Sequence, residues 1–109
     1  MANTFKNGYL DITSSNQTIY TAPASTTTVV IALRITNKNG SSADTVTAEV
    51  VDSSSGQSLI ASTLSVPADS SLEIAQPSKI VLETGDYIQV LGGQASGYLE
   101  AFISVLEIT

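Results

Sequence analysis

The sequence has no cysteine, no histidine and no tryptophan, and only four cationic side chains: Lys6, Arg34, Lys38 and Lys79. Each absence removes a class of explanation. Without cysteine there is no disulfide to help the fold and no thiolate to hold a metal or attack a substrate. Without cysteine and histidine the common nucleophile–base pairs of hydrolases are excluded. Four scattered cations against ten acids leave a net charge of −6. A nucleic-acid surface needs a basic patch that neutralises phosphates, so that partner is excluded too. No stretch approaches the roughly 20 apolar residues of a membrane-spanning helix. The opening Met-Ala-Asn-Thr-Phe-Lys lacks the apolar run of a secretion signal. The expectation is a protein made and folded in a cytoplasm, and the sequons at Asn16 and Asn39 are read as chance.

The remaining routes to chemistry are thin. Ser78-Lys79 is formally a dyad, but neighbours in a strand point to opposite faces and do not readily meet. Ten acids could include a glycosidase pair, yet none sits in an aromatic-rich setting. Asp44, Asp52, Asp69 and Asp86 fall in turns or at strand ends, where carboxylates could take calcium. None has the dense spacing of a calcium loop, and Asp86 after Gly85 reads as a turn-former. Gly92-Gly93 with Gly97 is followed by a strand rather than a helix, so it is a hairpin loop and not a phosphate cradle. Sugar stacking would have to use Tyr9, Tyr87 or Tyr98, which read more simply as interface or rim residues. The expectation is no catalytic residue, no cofactor and no metal.

What the chain does have is β-branched residues and regular turns. Val, Ile and Thr dominate the ordered stretches, and turn signals recur about every ten residues, the rhythm of a sandwich or barrel. Strands are expected over 4–12, 18–21, 29–36, 45–51, 57–66, around Leu72–Ile74, and over 79–82, 87–91 and 98–108. Asn7-Gly8 reads as a bulge or bend in the first, and Asn39-Gly40 as a positive-φ turn. In the third strand alternation puts Val29, Ile31, Leu33 and Ile35 inward. The fold expected is one all-β domain over residues 1–109. It is an antiparallel β-sandwich of eight or nine strands, jelly-roll-like or immunoglobulin-like.

The final strand is apolar on both faces. Leu99, Ala101, Ile103 and Val105 share one face and can close the core. Tyr98, Phe102, Leu106 and Ile108 share the other, interrupted by Glu100 and Ser104. A chain of this size has little spare structure to cover a second apolar face. These four residues are therefore the candidate subunit interface, and a homo-oligomer is expected.

Several stretches, taken in order, resemble small all-β virion proteins of tailed bacteriophages, notably phages of marine bacteria and cyanobacteria. They are Met-Ala-Asn-Thr-Phe-Lys-Asn at the start, residues 19–27 (Ile-Tyr-Thr-Ala-Pro-Ala-Ser-Thr-Thr) and residues 66–71 (Val-Pro-Ala-Asp-Ser-Ser). Residues 79–86 (Lys-Ile-Val-Leu-Glu-Thr-Gly-Asp) and the closing Ser-Val-Leu-Glu-Ile complete the set. The resemblance implies a structural virion protein without enzymatic activity. Within that group it favours a capsid decoration (cement) protein, trimeric and bound to the major capsid protein. A neck, tail or fibre component is the alternative. A carbohydrate-binding module for host glycans is the reading from a different class.

Overall fold

The computed structural model describes residues 3–54, 56–75, 80–94 and 97–109, and among these it is a two-sheet antiparallel sandwich with no helix. The strands are β1 (Asn3–Asp11), β2 (Gln17–Thr21), β3 (Thr27–Asn37), β4 (Asp44–Val51), β5 (Gln57–Val66), β6 (Ser71–Glu73), β7 (Ile80–Leu82), β8 (Tyr87–Gly92) and β9 (Leu99–Ile108). One sheet runs β1-β9-β3-β6, with β7 also on β3; the other runs β2-β8-β4-β5. The pairing is nested: first strand with last, β2 with β8, β3 with β6 and β7, and β4 with β5. A single long hairpin folded over on itself gives that order, which is the jelly roll. The immunoglobulin-like alternative is thereby set aside. Ser78-Lys79 lies outside the described residues.

The core lies between the sheets in two clusters that succeed each other along β9. Leu99 and Ala101 belong to the first, with Ile12, Ile35, Val46 and Val90. Ile103 and Val105 belong to the second, with Val30, Leu33, Leu82 and Ile88. The inward face of β9 is thus the one alternation assigned. β3 departs from strict alternation. Its register against β9 shifts between Val30 and Ala32, so a bulge around Ile31 resets which side chains point inward. Val30, Leu33 and Ile35 are fully buried, whereas Val29 and Ile31 are only half-buried. The expected inward set Val29-Ile31-Leu33-Ile35 is correct in its second half alone.

Two glycine assignments change as well. Asn7-Gly8 is no bulge: β1 pairs with β9 without interruption from Asn3 to Asp11. Gly8 sits where a Cβ would come within 3.3 Å of the Ile103 side chain, so close approach explains it. Gly40 does not carry a positive φ; among described glycines Gly85 (φ 87°) and Gly97 (φ 84°) do. Gly85 closes the turn in which Asp86 N–H donates to Glu83 C=O at 2.9 Å.

The 38–43 loop is organised by asparagine side chains instead. Asn37, 1% exposed, donates from Nδ2 to Ser42 C=O and Val66 C=O, and its Oδ1 accepts from Asn39 N–H. Asn39 Oδ1 in turn accepts from Ser41 and Ser42 N–H. Asn37→Ala orphans two carbonyls and one N–H. At about 1–3 kcal/mol for an unsatisfied buried group, chemical denaturation should show a loss of at least that size. A midpoint within error of the parent would show that water replaces the amide.

Candidate interaction surface

The outward face of the β1-β9-β3-β6/β7 sheet is built in rows, because paired residues in adjacent strands share a face. One row reads Phe5–Leu106–Val29–Val81, all apolar. The next reads Asn7–Ser104–Ala32, all small or polar, with Ser104 Oγ donating to Asn7 Oδ1 at 2.8 Å. The third reads Tyr9–Phe102–Arg34–Glu73. In it the Tyr9 and Phe102 rings stack at 6.4 Å, and the Arg34 guanidinium carbon lies 5.3 Å from the Phe102 ring centre. The fourth, Asp11–Glu100–Thr36–Ser71, is polar, and Lys38 reaches it to pair with Asp11 at 2.8 Å and Glu100 at 3.6 Å.

None of the described residues covers this face. Phe5 is 74% exposed, Tyr9 78% and Val81 59%, while Phe102, Leu106 and Ile108 are half-buried by their neighbours. Exposed apolar residues scattered singly need no explanation, but a continuous apolar row makes this face a candidate interaction surface. Of the four residues singled out in the sequence, Phe102, Leu106 and Ile108 lie on this face. Tyr98 does not: it precedes β9 and packs against the first core cluster. Strand alternation was extrapolated one residue beyond the strand. Phe5, Val29 and Val81 were missed because only the pairing register brings them beside Leu106. Their apolarity was legible, but the neighbour relation was not.

Beneath the edge of this face lies a buried polar cluster. Glu107, 6% exposed, is the last inward residue of β9. It accepts from the Tyr20 hydroxyl at 2.5 Å and pairs with Lys6 at 2.9 Å; Tyr20 and Thr28 share a further hydroxyl contact at 2.9 Å. Burial and the bond to Glu107 push the Tyr20 hydroxyl up to about 12. The Tyr20 and Lys6 contacts hold the Glu107 carboxyl below the usual carboxylate range. The cluster ties β2, β1, β3 and β9 together.

Three of the four acids considered for calcium accept from backbone N–H groups. Asp52 Oδ1 accepts from Ser54 and Gly56 N–H. The two Asp86 oxygens accept from Ser53 and Glu83 N–H, and Asp44 Oδ1 accepts from Thr45 N–H. Asp69 occupies a turn at φ 56°. A polar recess of about 500 Å³ lies among residues 25–27, 52–54 and 83–86, and its Asp52 and Asp86 are the ones so engaged. Of the tyrosines considered for sugar stacking, Tyr87 and Tyr98 are half-buried, while Tyr9 is 78% exposed with its ring stacked on Phe102.

No family model matches the chain, and no curated protein matches it. Solved structures do. A protein from the Bacillus endospore appendages, described as a novel family of disulfide-linked pili, aligns with a TM-score of 0.58 at 14% identity. That alignment covers 99% of this chain and 87% of the other. A chain of the T13 IBDV viral particle aligns with a TM-score of 0.56 at 6% identity. It covers 97% of this chain, which spans 31% of the other. At these identities the likeness is one of fold.

Proposed function

We propose that this protein is a non-enzymatic structural subunit of a virion. Within that reading it is a capsid decoration protein of a tailed phage, which bridges and stabilises capsid subunits. The observation that carries the reading is the uncovered face with its apolar row Phe5–Leu106–Val29–Val81. A chain that keeps Phe5 and Tyr9 about three-quarters exposed gains its remaining burial from partners. The partners in this reading are further copies of the chain and the major capsid protein, with no nucleic acid and no membrane. The protein is made in the host cytoplasm and resides in the virion. The phage assignment rests on the sequence resemblance. The assembly role draws support from two fold neighbours, one described as belonging to a pilus and one to a viral particle.

A second reading, a neck, tail or fibre component, is favoured by shape. The molecule measures 47 × 25 × 22 Å, and elongated subunits suit stacking along an axis. Quantitative mass spectrometry of purified virions of the encoding phage separates the two. Decoration predicts copies comparable with the major capsid protein. A count at the level of a single ring or fibre moves the protein to the neck or tail, and absence from virions overturns both.

A further inference from the structure

We infer that the outward face pairs with the same face of a second copy of this chain, about a two-fold axis, with each copy's apolar row seated in the other's row of small residues. The inference rests on the assembly reading above and names the partner and its geometry.

Three features of the face carry it. The first is relief. The Phe5–Leu106–Val29–Val81 row and the Tyr9–Phe102–Arg34 row stand on either side of Asn7–Ser104–Ala32, which makes two ridges with a trough between them. Ser104 and Ala32 in the trough carry short side chains, and the Ser104 hydroxyl already donates to Asn7 Oδ1, so that hydroxyl is paired when an apolar ridge is seated there. Successive rows are two residues apart along a strand, about 7 Å. A two-fold axis parallel to the rows and midway between ridge and trough places both ridges in both troughs at once. That is the self-complementarity an isologous contact requires.

The second feature is charge. The chain carries −6 overall, yet the apolar ridge and the trough contain no ionisable side chain. Two acidic bodies meet there without apposed acids. A positively charged partner would find nothing to pair with on these rows. The third feature is area. The rows that this axis sets face to face run from Ile108 to Phe102, about 24 Å along the strands by 19 Å across them, or roughly 450 Å² in projection, the size of a weak pair that forms as concentration rises. The resemblance to trimeric decoration proteins points to a threefold arrangement; the row geometry points to pairs.

The test is the mass of the full chain by light scattering during size-exclusion chromatography, over a concentration series, with three variants. Phe5→Asp puts a charge on the ridge. Phe5→Thr, which keeps β propensity, guards against loss of β1. Ser104→Phe fills the trough while adding apolar surface. The expected result is twice the 11.3 kDa chain mass for the parent, with at least tenfold weaker pairing for both Phe5 variants and for Ser104→Phe, all with parent-like melting. Tighter association of Ser104→Phe would mean general stickiness rather than seated ridges, and would overturn the inference. A parent trimer would overturn two-fold pairing and leave the assembly reading standing. So would a parent monomer that binds capsids through Phe5. A parent monomer with no capsid binding would overturn both.

Discussion

Leu33→Ala should lower stability by about 2–5 kcal/mol, the range for a fully buried leucine whose site cannot collapse. Leu33 is 0% exposed and sits in the second core cluster with Ile88, Ile103 and Leu82. It lies opposite Ile103 in the β3–β9 pairing, so the void opens at the middle of the sandwich, where neither sheet can close on it without sliding. Ile31→Ala, two positions away, should cost clearly less. Ile31 stands at the register shift and is half-exposed. Urea melts of the two variants measure the difference directly. Equal losses would mean that β3 runs without its bulge and that alternation read from the sequence holds through the whole strand.

Tyr20→Phe should cost about 1.5–3 kcal/mol at neutral pH, the range for a hydrogen bond to a charged group. The phenol donates to a carboxylate that is 6% exposed, and the substitution leaves that carboxylate buried with Lys6 as its remaining partner. Lys6 is itself half-exposed, so its pairing is screened and does not make up the loss. The same cluster sets a pH window. The Glu107 pKa is depressed on folding, so its contribution is complete above the ordinary value of 4.5 and is lost as pH falls through the lower folded value. The Tyr20 pKa is raised from 10.0 to about 12. Its contribution is complete below 10 and is lost as pH rises toward 12. Stability should be flat across the middle range and fall on both sides. In Tyr20→Phe the acid limb should move to higher pH. Ultraviolet titration should find a tyrosine ionising near 12 in the parent that is missing from the variant. Identical titrations would remove the Tyr20–Glu107 bond from the account.

How much of this was legible depends on whether the information was local. The nine strands of the described residues were, because short apolar, mostly β-branched runs between turn residues identify themselves without reference to the rest of the chain. The inward face of β9 was legible for the same reason: Leu99 to Val105 alternate without a break. The bulge at Ile31 was not, since nothing in Val29-Val30-Ile31-Ala32 distinguishes a strict strand from one that resets. Nested pairing was not legible either, and with it went the topology. Hydrophobic alternation tells a strand which way to face but not which strand lies beside it.

The interaction surface divides in the same way. That Phe102, Leu106 and Ile108 point outward was legible because one strand alone carried a surplus apolar face. Phe5, Val29 and Val81 belong to three other strands and become a surface through register. The buried cluster at Glu107 was invisible because a glutamate near the end of a strand reads as solvated unless Tyr20 and Lys6 are known to converge on it. Asn37 and Asp86 follow the same logic. Their types signalled turns, but one partner of each, Val66 C=O for Asn37 and Ser53 N–H for Asp86, comes from a distant segment.

Hydroxyl-radical footprinting of the protein in its assembled state, set against the same chain diluted to the monomer, tests the central claim most directly. Phe5 and Tyr9 report on the proposed contact face, and Tyr87, outward on the opposite sheet, serves as the internal reference. The account predicts that assembly protects Phe5 and Tyr9 strongly while Tyr87 oxidises at an unchanged rate. Protection of Tyr87, with Phe5 and Tyr9 oxidising as freely as in the monomer, would place the contact on the other sheet and contradict the account.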